Sequence, residues 1–351
     1  MFMFLDVTPS VRFLEHYRLK RIQCYANGAF SLEVEEIKDN TSKLWLADEN
    51  ANISPKAHFA QKGVMLNQGY YILWGIKSEN NFADKRKVYK GFLAEGTLFF
   101  PNGKVKAKGF EDFKIFPNGW YMLEYKENKC LYTNTHQKVA DNFIDCLTIG
   151  QTDFALRKDS LFYRQGDWEL YSRNQKYLGS ASNVVSFLGD KLILKETKEY
   201  GFYELTNLKN ELIASNIIKY KSFYNQKFSL VFGNQSSAMY DKDGTRISTY
   251  TGKNAEFLPD GTFVSYRQNL LDTRYRSSGI MIKGEIYRCE TLSNYFLLTK
   301  EKTTELYNDK GTIVDTDILI ANECGNFALF QKEGRYHLYN QFGKVLEYNI
   351  V

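Results

Sequence analysis

The chain has 351 residues, of which 43% are hydrophobic and 16% aromatic, enough to core two ordinary domains or one large repeat domain. A net charge of +5 on a chain with 25% charged residues does not support nucleic-acid binding, which needs Lys and Arg gathered on one face, and the pI near 8.7 is only weak evidence for an acidic partner. No window approaches the ~18 apolar residues of a membrane span, and Asp6 interrupts an apolar start that lacks a basic leader, so no signal peptide is read there.

From the N-terminus onward, an aromatic or aliphatic residue followed by a polar turn keeps returning. These anchors are Leu5, Trp45, Phe99, Tyr132, Tyr171, Tyr203, Tyr240, Tyr275, Tyr307 and Tyr339, spaced by about 37 residues on average. Charges in 10–22 allow a helix, but the segment falls where the first repeat needs strands. Gly stands four residues after several anchors, as Gly103, Gly244, Gly279, Gly311 and Gly343. A short hairpin loop needs one residue at positive φ, and Gly takes it without a Cβ clash. His136 and Gln175 fill the same slot, so longer or strained turns are expected there.

About 20 to 25 residues after each anchor comes a Gly, Asn or Asp turn and then a run of alternating apolar residues. Examples start at Asn27, Gln68, Asn118, Gly189, Asp260, Ser293 and Gly325. Weaker apolar pairs at 183–187 and 217–223 supply a further strand. Each repeat then reads strand, tight turn, strand, weaker strand, turn, strand. A unit of four short strands cannot cover its own apolar faces, whereas copies stacked face to face bury them, with the large aromatics filling the ~10 Å between sheets. The expected fold is all-β, a single repeat domain over 1–351 with units at 1–40, 41–94, 95–128, 129–166, 167–198, 199–235, 236–270, 271–302 and 303–334 and a half unit at 335–351. A β-propeller of seven to nine four-stranded blades, its ring closed by the two termini, fits this pattern, with an open curved array as the alternative.

The stretches 129–142, 167–180 and 200–215 resemble WG-type repeats, in which a Trp-Gly pair opens the first strand, an aromatic-Asp turn follows, and a Gly-Lys-hydrophobic-hydrophobic run starts the second. The opening pair is degenerate here, as Trp168-Glu169, Tyr200-Gly201 and Tyr336-His337, and the literal pair Trp74-Gly75 lies out of register. The resemblance implies a propeller-like fold and no particular chemistry.

Candidate sites are few. His16, His58, His136 and His337 form no metal-ligand spacing, and structural roles are expected for His136 and His337. Residues 241–244, Asp-Lys-Asp-Gly, lack the further acidic ligands of a calcium loop and read as a turn. Asp6, Asp48, Asp167 and Asp241 are scattered acids with no sign of convergence. No nucleotide or nucleophile motif occurs, and no cofactor is expected. Cys24, Cys130, Cys146, Cys289 and Cys324 show no C-x-x-C spacing; reduced, partly buried thiols and a cytoplasmic location are expected. The longest gap between anchors holds a basic segment, 77–91, whose Lys85, Arg86, Lys87 and Lys90 form a possible partner-binding loop, set against a plain solvated connector. The expected function is a non-enzymatic scaffold that binds another protein. The alternatives are a propeller hydrolase or lyase acting on glycans and a part of a larger assembly such as a virion or secretion apparatus; the oligomeric state is left open.

Overall fold

The computed structural model describes residues 17–50, 52–54, 56–76, 88–89, 92–158, 168–223, 226–250, 255–257, 263–265, 288–292, 295–301, 303–308, 312–324, 327–340 and 343–349. Among them there is no α-helix, only one 3-10 turn at Asn67–Gly69. Every strand pairing given for them is antiparallel between neighbours in sequence or, at Tyr71–Ile76 with Gly96–Phe99, across the basic segment.

The chain divides into two compact bodies, one formed by Met1–Asn142 with Asn322–Val351 and the other by Phe143–Ala321. The first body opens with a three-stranded sheet, Tyr17–Cys24, Phe30–Glu36 and Ser42–Ala47. Residues 17–24 are thus extended, as the repeat frame required. Two sheets of four strands follow: Ala60–Met65, Tyr71–Ile76, Gly96–Phe99 and Val105–Phe110, then Asp112–Ile115, Tyr121–Glu124, Lys129–Tyr132 and Lys138–Asp141. The C-terminal sheet, Ile320–Cys324, Phe327–Lys332, Arg335–Asn340 and Gly343–Asn349, belongs with them apart from its first residues. Its Leu329 and Leu338 join Leu19, Phe30, Leu32, Val34 and Ala47 in one buried cluster, so the last sheet packs on the first.

The second body holds the sheet Asp145–Ile149, Asp153–Arg157, Trp168–Tyr171 and Tyr177–Ala181. Next comes a seven-stranded sheet from Val184–Leu188 to Arg246–Tyr250, a strand pair at Ala255–Phe257 and Phe263–Ser265, and a four-stranded sheet from Arg288–Leu292 to Ile313–Thr316. The seven-stranded sheet is two four-stranded motifs fused through Leu212–Ser222. The first half of that strand pairs with Tyr203–Asn207 and the second half with Phe228–Phe232, while Ile217 pairs on both sides. Asn216, at φ 58°, stands at the changeover.

The anchors hold these sheets together differently from the expectation. Rather than bridging facing sheets, they stack on an aromatic of the adjacent strand of their own sheet. Tyr71–Phe99, Tyr121–Tyr132, Phe154–Tyr171, Phe228–Tyr240 and Phe296–Tyr307 have ring centroids 4.9, 5.1, 5.5, 5.3 and 5.2 Å apart and interplanar angles of 3–17°. Each pair is in cross-strand register. Directly opposed side chains on neighbouring strands are close enough for such offset stacking, which adds about 0.5–1.5 kcal/mol per pair beyond burial. The stacked pairs are packed among branched aliphatics, Phe228 and Tyr240 for instance sharing a buried cluster with Leu188, Leu194, Leu205, Ile217 and Leu230.

Each of these anchors begins a five-residue turn of constant design. The residue after the anchor donates its N–H to the carbonyl four positions on, and the residue in the slot fourth after the anchor donates back to it: Phe100 and Gly103, Thr133 and His136, Ser172 and Gln175, Asn207 and Asn210, Asp241 and Gly244. The slot residues have φ of 82, 63, 62, 63 and 85° in that order. His136 and Gln175 therefore sit in turns of ordinary length, and the cost of their occupancy lies in positive φ alone. The same hydrogen bonds shift two assignments: the turn after Tyr203–Asn207 is anchored at Thr206 rather than Tyr203, and the one donated by Asp48 N–H to Asn52 is anchored at Ala47 rather than Trp45. Leu5 and Tyr275 lie outside the described residues.

Candidate functional site

Cations tie neighbouring sheets of the second body: Lys221 Nζ donates to the carbonyl and Oγ1 of Thr291, and Lys219 Nζ stands 3.5 Å from Glu256. Lys158, Glu169 and Tyr171 form a clamp within one sheet, the Tyr171 hydroxyl donating to Glu169 at 2.5 Å and Lys158 pairing with the same carboxylate at 2.7 Å. Lys300, Glu305 and Tyr307 repeat it at the equivalent strand positions. The ammonium and hydroxyl hold the Glu169 carboxyl below its ordinary range, and the carboxylate raises Lys158. Recurrence in two sheets marks these as strand clamps rather than reactive groups.

Several residues singled out from sequence have structural duties. The Asp241 carboxylate accepts from the N–H groups of Asp243 and Thr245 at 3.0 and 2.8 Å, so the Asp-Lys-Asp-Gly segment is a self-capped turn. Asp48 does the same for Asn50 and Asn52. Asp6, Asp167 and His16 lie outside the described residues, as do Lys85, Arg86, Lys87 and Lys90; within that segment only the strand Val88–Tyr89, paired with Phe92–Leu93, is described. Among the described residues no group of His, Cys, Asp and Glu has metal-holding geometry.

His136 is buried and stacked on Tyr70, with centroids 3.7 Å apart. A backbone carbonyl can only accept, so Nε2–H donates to Asn67 O at 2.9 Å and Nδ1 accepts from the Tyr121 hydroxyl at 3.3 Å. Lys106 closes the group, donating to the His136 carbonyl at 3.1 Å with its ammonium over the Tyr70 and Phe100 rings. Burial lowers the pKa of His136, and that of His58 to about 4. His58 pairs across a bridge with Leu44 and lies against Tyr71. His337 is buried in its strand.

The two depressed imidazoles make a prediction about pH. A histidine of the unfolded chain protonates near 6.5, whereas the folded ones resist until lower pH, so their contribution is complete above 6.5 and is lost as pH falls from there toward 4. For His58 the loss is about 2–3 kcal/mol. Urea unfolding at pH 7.5 and 4.5 checks it: His58→Leu should have a smaller acid loss than the parent chain, and an equal loss would remove His58 from the explanation.

Cys130, Cys146 and Cys289 are buried and form no disulfide, and burial raises the thiols of Cys130 and Cys289, which makes those two poor nucleophiles. Cys24 departs from the reduced state expected for the set, being disulfide-bonded. That removes the support an all-thiol chain would lend to a reducing compartment. No helix among the described residues is long and apolar enough to cross a membrane.

A cavity of about 370 Å³ opens between the sheet ending at Ala181 and the one beginning at Val184. Its lining is Arg157, Trp168, Asn183, Val184, Val185, Glu196 and Tyr203. The repeat explains the set. Arg157 and Glu196 each end the second strand of their sheet, while Trp168 and Tyr203 each begin the third. Adjacent copies thus deliver equivalent positions with opposite charges. Asn183, at φ 55°, makes the bend between the sheets, and its carbonyl accepts the Glu196 N–H at 3.0 Å. The Arg157 guanidinium lies 5.6 Å from the centre of the Trp168 ring, and its Nη2 is 3.7 Å from the cross-strand carboxylate of Asp145. Its Nε is buried without a hydrogen-bond partner.

Sequence reasoning missed this cavity. Trp168 was visible as a degenerate repeat opening, but the distance along the chain from Arg157 to Trp168, and from there to Glu196, matches no motif. Only the strand order brings them together.

By its strands and turns the chain is an all-β protein of consecutive antiparallel sheets, most of them four-stranded. No protein-family model matches it, and no curated protein does. Among solved structures, a eukaryotic initiation factor aligns with a TM-score of 0.42 at 10% identity, over 94% of this chain and 87% of that one. Protein lmo1340 from Listeria monocytogenes EGD-e gives 0.39 at 11%, over 95% and 94%, and Kluyveromyces lactis Hsv2p 0.35 at 9%, over 88% and 99%. Likeness at this level carries no argument about function.

Proposed function

We propose that the chain is a non-enzymatic scaffold that binds another protein, built as a β-propeller of seven to nine blades. The packing of the last sheet on the first supports a ring whose ends meet. The observation that carries the functional reading is the exposure of apolar residues on the outermost strands. Val105, Tyr177, Leu178, Ile247 and Ile313 are all exposed, and each lies on the last strand of its sheet. Such an edge has unpaired backbone groups on one side, and apolar side chains there suit strand addition or side-on docking by a partner. Exposed apolar residues also occur elsewhere, at Ile37, Phe59, Val185, Tyr200, Leu212, Ile218 and Leu319, but the five named first share the outermost strand in four of the sheets.

Cross-linking followed by mass spectrometry in the native cell tests the proposal. Paired Tyr177→Lys and Leu178→Lys substitutions should remove at least one cross-linked protein while the melting temperature holds. An unchanged partner set would count against the edge strands. The basic segment 77–91 remains a second proposed contact through Lys85, Arg86, Lys87 and Lys90. Its replacement by Gly-Ser, with partner recovery unaltered, would remove it.

A further inference from the structure

The cavity between Ala181 and Val184 contains a cation whose hydrogen-bonding capacity is largely unused. Nη2 of Arg157 stands 3.7 Å from Asp145, within ion-pair range but beyond hydrogen-bond distance, and Nε is buried without a partner. Nε is closed off from the cavity, but the terminal nitrogens carry four N–H donors, and their contact with Asp145 is too long to use them. The guanidinium is already positioned, because Trp168 lies under it and Trp168 itself is buried and paired with Ala181.

We propose that this cavity seats the acidic side chain of an Asp or Glu in an extended segment of the partner protein; the inference rests on the scaffold reading and identifies what one of its pockets takes. A carboxylate presents two oxygens at the spacing of the guanidinium fork, so one bidentate contact engages the two terminal nitrogens, which Asp145 leaves without a full-strength hydrogen bond. Val184 and Val185 give an apolar wall for the methylenes of the side chain. The volume stands at the lower end of small-ligand sites and suits one or two residues rather than a large cofactor. Glu196 on the opposite sheet limits the charge the cavity accepts. A monoanion is neutralised by Arg157, whereas a phosphate dianion meets Glu196 with charge to spare. The net charge of +5 on the whole chain also favours an acidic partner.

The test uses the full chain labelled with 15N, the Trp168 indole resonance assigned through Trp168→Phe, and the peptides acetyl-Ala-Glu-Ala-amide and acetyl-Ala-Gln-Ala-amide, with Lys and phosphoserine versions as further probes. The Glu peptide should shift the indole resonance saturably, and the Gln peptide should bind at least tenfold more weakly. Arg157→Lys should weaken the Glu peptide about fivefold or more, since charge persists while the fork is lost. Glu196→Gln, which removes a repelling charge and does not depend on altering Arg157, should tighten it. Equal binding of the Glu and Gln peptides, preference for the Lys or phosphoserine peptide, or no saturable shift with any of them overturns the proposal. The scaffold reading fails separately: peptide binding without any cross-linked protein leaves the cavity assignment standing and removes the scaffold, while recovered partners with an unresponsive Trp168 do the reverse.

Discussion

Phe228→Ala should lower the unfolding free energy by about 3–5 kcal/mol, the cost of emptying a fully buried aromatic site. Phe228 has 0% exposure and packs in the cluster formed by Leu188, Leu192, Leu194, Leu205, Ile217, Leu230, Ala238 and Tyr240. Truncation removes its burial and strips Tyr240 of its stacked partner, 5.3 Å away and 3° from parallel. The surrounding side chains sit on both halves of the fused sheet, and backbone hydrogen bonds on either side restrain them from collapsing into the void. Urea denaturation measured by far-UV circular dichroism and by tyrosine fluorescence provides the readout. Tyr200→Ala is the control, because Tyr200 is 86% exposed and should change stability by less than about 0.5 kcal/mol. A Phe228→Ala loss as small as that control would contradict the stacked-pair account of the sheets.

Gly189→Ala should cost about 2–4 kcal/mol, from left-handed strain of about 1–2 kcal/mol and the loss of a packed turn contact worth a similar amount. Gly189 has φ 56°, and a Cβ there would lie 2.1 Å from the carbonyl oxygen of Lys242. That atom is backbone and cannot swing aside. It also accepts the Asp190 N–H at 2.8 Å, next to the Lys242–Asp190 ion pair at 3.0 Å, so displacement breaks both. Gly201→Ala separates the two effects. Gly201 has φ 84°, but a Cβ there would meet nothing within 4 Å, so alanine bears only the conformational cost. Thermal melts of both variants should rank Gly189→Ala clearly below Gly201→Ala. Equal losses would mean that the 188–192 turn does not depend on its contact with the 241–245 turn.

Much of the strand pattern was legible because alternation leaves a local trace. The runs after Asn27, Gln68, Asn118 and Gly189 became Phe30–Glu36, Tyr71–Ile76, Tyr121–Glu124 and Leu192–Glu196, each preceded by the turn its polar residues demanded. The turn code itself was read only in part. Attention to Gly in the fourth slot passed over the residue directly after the anchor, whose side chain caps the turn: Thr133, Ser172, Asn207, Asp241 and Asn308 all accept backbone N–H groups there. A second signal was missed ten residues after several anchors. Gly109, Asn142, Asn216 and Asp317 all have positive φ where the chain leaves one motif for the next. Asn and Asp tolerate that conformation better than other side-chain-bearing residues, so the position was readable in principle. Using it would have placed the anchor at Thr206, ten residues before Asn216. Cross-strand stacking of the aromatics and the meeting of Arg157 with Glu196 left no such local trace, because they depend on how strands are ordered in space.

The strand Leu212–Ser222 has a mechanical consequence. Each half is hydrogen-bonded to a different neighbour and only Ile217 pairs on both sides, so the two motifs share one continuous extended backbone while each keeps its own ladder. Tension applied across 184–250 would therefore pass from one ladder to the next with no slack loop between them, and amide protection should run on through Ile217 rather than drop at the junction. Elsewhere the chain crosses between sheets through short connections such as Asn183, where fracture can stop at the joint.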